Sequence, residues 1–154
     1  MPSEKILSLL VPSAVCLQLQ SDSSKEVIET LGERLFQAGY VHSSFVQAAL
    51  DRESQLPTGL PLEGKYNAAI PHTDIEHVIK PALALATLTR PVDFQNMVLP
   101  EEKVPVQLVI LMALEQAKTQ VEMLQEIATV LQDSTIIEKL ILAFEVQQVY
   151  DAFA

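Results

Sequence analysis

In Ala68-Ala69-Ile70-Pro71-His72-Thr73 an imidazole stands directly behind a rigid proline, at the end of a short apolar run. Pro71 fixes its own φ, donates no backbone hydrogen bond and biases Ile70 toward extended geometry. The run therefore reads as a short strand that stops abruptly and presents His72 at its edge. With an ordinary pKa of about 6.5, such a ring is mostly neutral at pH 7. It can serve as a nucleophile, a proton carrier or a metal ligand. Several conventional chemistries fit poorly. Four glycines, in no phosphate-cradling arrangement, match neither nucleotide-binding fingerprint. His72 and His77 are five apart, which is not the four-residue helical spacing of a metal pair. The serines cluster at helix starts and show no nucleophile-elbow context. What remains is His72 itself as the nucleophile.

The elements that must position it are legible in outline. Ala14 to Leu19 reads as a first strand. Ser21-Asp22-Ser23-Ser24 offers N-caps for a helix through about Ala38, with Val27, Ile28, Leu31 and Leu35 on one face and Gly39 just past its end. Ser43 or Ser44 starts a second helix through about Ser54, with Phe45, Ala48, Ala49 and Arg52 at helical spacing. Pro57-Thr58-Gly59-Leu60-Pro61 reads as a loop. Pro81 to Thr89 is an apolar run of strand length, Val92 to Met97 a short extended piece, and Val106 to Ala113 a buried central strand. Thr119 with Glu122 forms a capping-box pattern before Val121, Leu124, Ala128 and Leu131. Asp133 or Ser134 opens another helix, and Val146, Val149, Tyr150 and Phe153 suit a last short one. This order predicts a single α/β domain over residues 1–154.

Composition narrows the function classes. Apolar residues are 49% of the chain and charged ones 19%, the balance of a globular protein. No apolar stretch approaches the roughly 20 residues that span a bilayer. Ile6 to Val11 is too short for a signal-peptide core, and Cys16 is the only cysteine. A reduced, cytoplasmic setting is expected. A formal net charge of −10 argues against broad contact with nucleic acid or an anionic membrane surface, and an acidic surface steers basic partners toward itself. Cys16, His42, Met112 and Met123 read as structural.

Arg52-Glu53-Ser54-Gln55-Leu56-Pro57-Thr58-Gly59-Leu60, followed by Ala69-Ile70-Pro71-His72-Thr73, resembles the enzyme IIA components of the fructose/mannitol superfamily of the sugar phosphotransferase system. There an Arg-Glu-x-x-x-Pro-Thr-x-Leu segment precedes an Ala-(Ile/Val)-Pro-His motif whose histidine carries the phosphoryl group. The resemblance runs from about Val11 to Ala143 and is strongest to the galactitol-type branch. That branch shares Pro57-Thr58-Gly59, a histidine at His77 and a segment similar to Leu108-Val109-Ile110.

The resemblance implies a mixed β-sheet flanked by helices and a phosphoryl relay without ATP, metal or other cofactor. Phosphorylated HPr would donate to Nε2 of His72, and a cysteine of a IIB component, itself serving a membrane IIC component, would accept. The arrangement suits phosphoryl transfer, in which catalysis is largely positioning and electrostatics. Arg52 can form a bidentate fork to phosphate oxygens. Thr73-Asp74-Ile75-Glu76 reads as a capping box for a short helix ended by Pro81, which would set His72 at a helix N-terminus. Leu56, Leu60, Ile70 and Ile75 are expected to form an apolar rim. The chain departs from the superfamily at Gln120, which aligns where several members carry a second histidine. Gln120 can donate a hydrogen bond to a phosphoryl group but has no titrating charge, so Gln120 and His77 are both candidates for a secondary role. The alternative function is a standalone regulatory IIA protein of the nitrogen-related kind, whose phosphorylation state controls other proteins.

Overall fold

A computed structural model describes residues 3–154. Its elements, in chain order, are α1 (Glu4–Leu9), β1 (Leu10–Leu19), α2 (Ser24–Gln37), α3 (Phe45–Gln55), β2 (Gly59–Leu60), β3 (Ala68–Ala69), a 3₁₀ turn (Ile75–His77), β4 (Ala82–Gln95), β5 (Lys103–Ala113), α4 (Ala117–Val130), α5 (Ser134–Leu142) and α6 (Val146–Phe153). The five strands form one mixed sheet in the order β1-β4-β5-β3-β2. β4 and β5 are antiparallel, β1 lies parallel to β4, β3 parallel to β5, and β2 antiparallel to β3.

Strand alternation builds two cores, one on each side of the sheet. Leu83 and Leu85 of β4, with Leu108, Ile110 and Met112 of β5, face α1, α4, α5 and α6. The intervening Ala84, Ala86, Val109 and Leu111 face α2 and α3, where Val27, Ile28, Leu31, Leu35 and Phe45 cover them. Both faces of the central hairpin are thus buried, and this explains why Val106 to Ala113 reads as continuously apolar rather than alternating.

Several expectations hold in detail. Ser23 caps α2 by accepting from Glu26 N–H, and Gly39 takes the left-handed conformation at φ 85° just past its end. Asp133 caps α5 through the N–H groups of Thr135 and Ile136. Others need correction. The residues before Ala14 are structured: Ser3 caps α1, and β1 begins at Leu10. The runs 81–89 and 92–97 belong to one strand, β4, whose register with β5 shifts between Thr87 and Val92 around the exposed Arg90 and Pro91. Within the presumed 57–61 loop, Gly59 and Leu60 pair with Ala69 and Ala68. No capping box opens α4. Gln116 is its N-cap, and the Thr119 hydroxyl, already inside the first turn, donates back to the Gln116 carbonyl. The capping box that does form is at α6, between Glu145 and Gln148.

Candidate functional site

β3 ends at Ala69, and Ile70-Pro71-His72-Thr73 runs on along the end of the sheet, beside β5. Three hydrogen bonds from separate elements pin this segment. Ile70 N–H donates to the Thr58 carbonyl at 3.4 Å, and Met112 N–H of β5 donates to the Pro71 carbonyl at 3.0 Å. Gln120 of α4 donates from Nε2 to the Thr73 carbonyl at 2.9 Å. Pro71 itself brings no N–H that would need a partner in this buried stretch.

His72 is 8% exposed. Its Nδ1 lies 3.0 Å from the Ile70 carbonyl oxygen. A carbonyl can only accept, so Nδ1 carries the proton and Nε2 keeps its lone pair. Burial pushes the ring's pKa below its ordinary 6.5. The bond to Ile70 opposes that, the Arg52 charge adds to it and Asp74 counters it. The outcome at neutral pH is an uncharged imidazole of one tautomer, with Nε2 as its nucleophilic atom.

Arg52 lies in the last turn of α3, where a cation also complements the helix C-terminus, and its charge bears on the His72 ring. Its guanidinium bonds Asp74 through one terminal nitrogen at 3.2 Å. Its Nε is buried and has no hydrogen-bond partner. A buried charged donor without an acceptor is costly. The Asp74 contact occupies one terminal nitrogen and leaves the guanidinium with further donor capacity.

The segment after His72 differs from the sequence expectation. Thr73 does not cap a helix; only the 3₁₀ turn Ile75–His77 follows, with Asp74 at its N-cap position and no side-chain cap. One turn of three residues is too short to set a helix N-terminus at His72, so the expected helix dipole is not formed, and Arg52 is the cation whose charge bears on the ring. His77 turns toward the start of α3: its Nδ1 pairs with Ser44 Oγ at 2.8 Å, and its Nε2 lies 3.9 Å from Glu76. That pairing also explains why Ser44, the N-cap of α3, makes no side-chain cap. Gln120 instead touches the His72 segment directly, through the Thr73 carbonyl.

Of the expected apolar rim, Leu56 and Ile75 are exposed and Leu60 is half-buried. Ile70 is not part of a rim; it is 3% exposed and packs with Leu108, Ile110 and Met123 in the core. Among the described residues, no helix is long and apolar enough to cross a membrane.

The family model described as "Phosphoenolpyruvate-dependent sugar phosphotransferase system, EIIA 2" matches residues 8–154. The chain belongs to that family of phosphoryl carriers, which are phosphotransferases acting in a relay. It is 34% identical over 122 residues to the galactitol-specific EIIA component of Escherichia coli, covering 79% of this chain and 80% of the relative. It is 30% identical over 152 residues to a nitrogen regulatory protein of Bradyrhizobium diazoefficiens, covering 97% of this chain and 94% of the relative. Among solved structures, the mannitol IIA protein of E. coli, in complex with its phosphorylated IIB, superposes with TM-score 0.74 at 28% identity, covering 94% of this chain and 98% of that one.

Proposed function

We propose that this chain is a cytoplasmic phosphoryl carrier for sugar uptake, accepting phosphate from phospho-HPr on Nε2 of His72 and passing it to a cysteine of a IIB component. The reading rests above all on the buried His72 ring, whose Nδ1 is held by the Ile70 carbonyl and whose Nε2 is left free. Phosphoryl transfer needs such a nucleophile held in line with its donor, and little other chemistry from the protein.

In the first step the Nε2 lone pair attacks phosphorus and the donor's P–N bond breaks, its electron pair staying on the donor ring. Nδ1 keeps its proton against Ile70, so the phosphorylated ring is cationic and remains a good leaving group. In the second step a IIB thiolate attacks phosphorus, and the Nε2–P electron pair returns to His72. Arg52 offers its guanidinium to the phosphoryl oxygens, with Asp74 holding it until phosphate arrives. Gln120 steadies the Thr73 carbonyl, and His77 acts, if at all, from the Ser44 side. The IIB partner is supported by the mannitol IIA–IIB complex, and a galactitol-like polyol as the sugar by the galactitol relative. The membrane IIC component is reached only through IIB.

Incubation with phospho-HPr should add one acid-labile, base-stable phosphate, lost in His72→Ala. Retention of the phosphate in that variant would overturn the assignment. The likeness to a nitrogen regulatory protein favours a second reading, in which the same phosphohistidine reports to other proteins. Transfer to a cognate IIB separates the two: a purely regulatory chain accepts phosphate and passes none on.

A further inference from the structure

The acid next to Arg52 has no part in the relay just described, yet it sits in a specific place. Both Glu53 carboxylate oxygens are used on one residue. Oε2 accepts from the Thr58 N–H at 2.8 Å, and Oε1 accepts from the Thr58 hydroxyl at 2.8 Å. Thr58 is 2% exposed, so water cannot replace either bond. Its neighbours hold it from the other side. Pro57 has no N–H to offer, and Gly59 is pressed so closely on β4 that a Cβ there would lie 2.6 Å from the Gln95 carbonyl oxygen. The Gly59 carbonyl in turn accepts from Met97 N–H at 2.9 Å. Thr58 therefore has one orientation while Glu53 holds it. In that orientation its carbonyl receives Ile70 N–H, and the Ile70 carbonyl receives Nδ1–H of His72.

We propose that Glu53 is a positioning residue for His72: through Thr58 and Ile70 it aims the carbonyl that selects the ring's tautomer and leaves Nε2 free. The inference rests on the reading of His72 as the phosphoryl acceptor. The chain of bonds is continuous, from the Glu53 carboxylate to Thr58, from Thr58 to Ile70 and from Ile70 to the ring. It links α3 to the site by a route separate from Arg52, its neighbour in sequence. Burial raises the Glu53 pKa to about 7 against the pull of its two bonds to Thr58. The charged side chains lining the cleft on the outer side of Glu53 are Lys25 of α2 and Asp51 of α3. A carboxyl kept there despite the cost of burying its charge is consistent with a geometric duty.

The test reads the ring directly. Long-range ¹H–¹⁵N correlation on the full-length, ¹⁵N-labelled protein reports the His72 tautomer, and phospho-HPr uptake reports the rate. The wild type should show the Nδ1–H form. Glu53→Ala should shift the ring toward a tautomer mixture and slow uptake about tenfold or more, since misplacing a reacting group is costly. Glu53→Gln should restore the wild-type ring signature and most of the rate. Its amide oxygen can accept the Thr58 N–H, while its NH₂ donates to the hydroxyl, which rotates to suit. An unchanged ring spectrum in a folded Glu53→Ala protein overturns the proposal, whether or not the rate falls. If Glu53→Ala does not fold, Thr58→Val, which loses only the hydroxyl bond, must move the His72 ring signals; unmoved signals there overturn it equally. Because the ring spectrum needs no phosphate, failure of His72 to accept phosphate would sink the carrier reading while leaving this link measurable.

Discussion

The two histidines of the 72–77 stretch lie five residues apart and have opposite surroundings. His72 is buried, its Nδ1 committed to a backbone carbonyl, with Arg52 and Asp74 as the charges that bear on it. His77 is partly exposed and bonded to a serine hydroxyl that can donate or accept, beside a solvated Glu76. A carbonyl allows one tautomer, whereas a hydroxyl allows either. Reactivity of an imidazole is decided less by the residue than by what holds its second nitrogen and how much water reaches the first. Only the 72 position has both settled.

The comparison can be broken most severely at the acceptor itself. His72→Ala should lose all phosphate uptake from phospho-HPr, while His77→Ala keeps most of it; label on the first variant or none on the second would reverse the contrast. The next largest effect belongs to Arg52. Arg52→Lys keeps the charge and loses the planar fork, so transfer should slow roughly ten- to a hundredfold at unchanged thermal stability, about 1.5–3 kcal/mol in the barrier. Single-turnover rates in both directions check this, and a wild-type rate would leave Arg52 as a helix-end charge paired with Asp74.

Glu53 sharpens the comparison through stability. Unfolded, it loses its proton near 4.5; in the native chain it does so near 7, because burial disfavours the charge. Between those values the folded state holds a proton that the unfolded state has shed, so this group's stabilising contribution is full below about 4.5 and lost as pH rises to about 7. Glu53→Gln should therefore match the wild type near pH 4 and be the more stable protein at pH 8, by on the order of 3 kcal/mol. Denaturant melts at the two pH values measure it, and equal offsets at both would show that the carboxyl is solvated. The smallest effect is expected at His77. His77→Gln should leave the pH dependence of transfer nearly unchanged, whereas Gln120→Ala, which frees the Thr73 carbonyl, should slow transfer several-fold. A slowing of transfer in His77→Gln as large as that in Gln120→Ala would mean that its ring does reach the phosphoryl group.

Local signals read well where one residue type has one local use. Ser23 and Asp133 cap helices because their side chains can reach N–H groups two or three residues on. Gly39 ends α2 because its backbone turns left-handed. Capping-box patterns at 73–76 and 119–122 misled because the same spacing also occurs where no helix starts, and only the packing of neighbouring elements decides. Ile70 was misread for a related reason. A proline directly before the site residue suggests an edge, but the Ile70 side chain is buried in the core cluster that includes residues of β5 and α4. The pairing of Gly59 and Leu60 with β3 was hidden by two flanking prolines and by its length of two residues.

By itself, the amino-acid order determined which chemistry was available: an imidazole behind a proline, a guanidinium ahead of a Pro-Thr-Gly segment, and apolar runs sufficient for a two-sided sheet. It also carried the family, since Arg52-Glu53 and Ala69-Ile70-Pro71-His72 are contiguous strings that no long-range contact is needed to read. The tertiary structure alone decided that the Ile70 carbonyl holds Nδ1 of His72, that Gln120 holds Thr73 while His77 holds Ser44, and that Glu53 is tied to the site through Thr58. The physical reason is that tautomer, burial and hydrogen-bond partner are properties of the space around a group. That space is filled here by α4, β5 and the end of α3, which chain distance does not place beside residue 72.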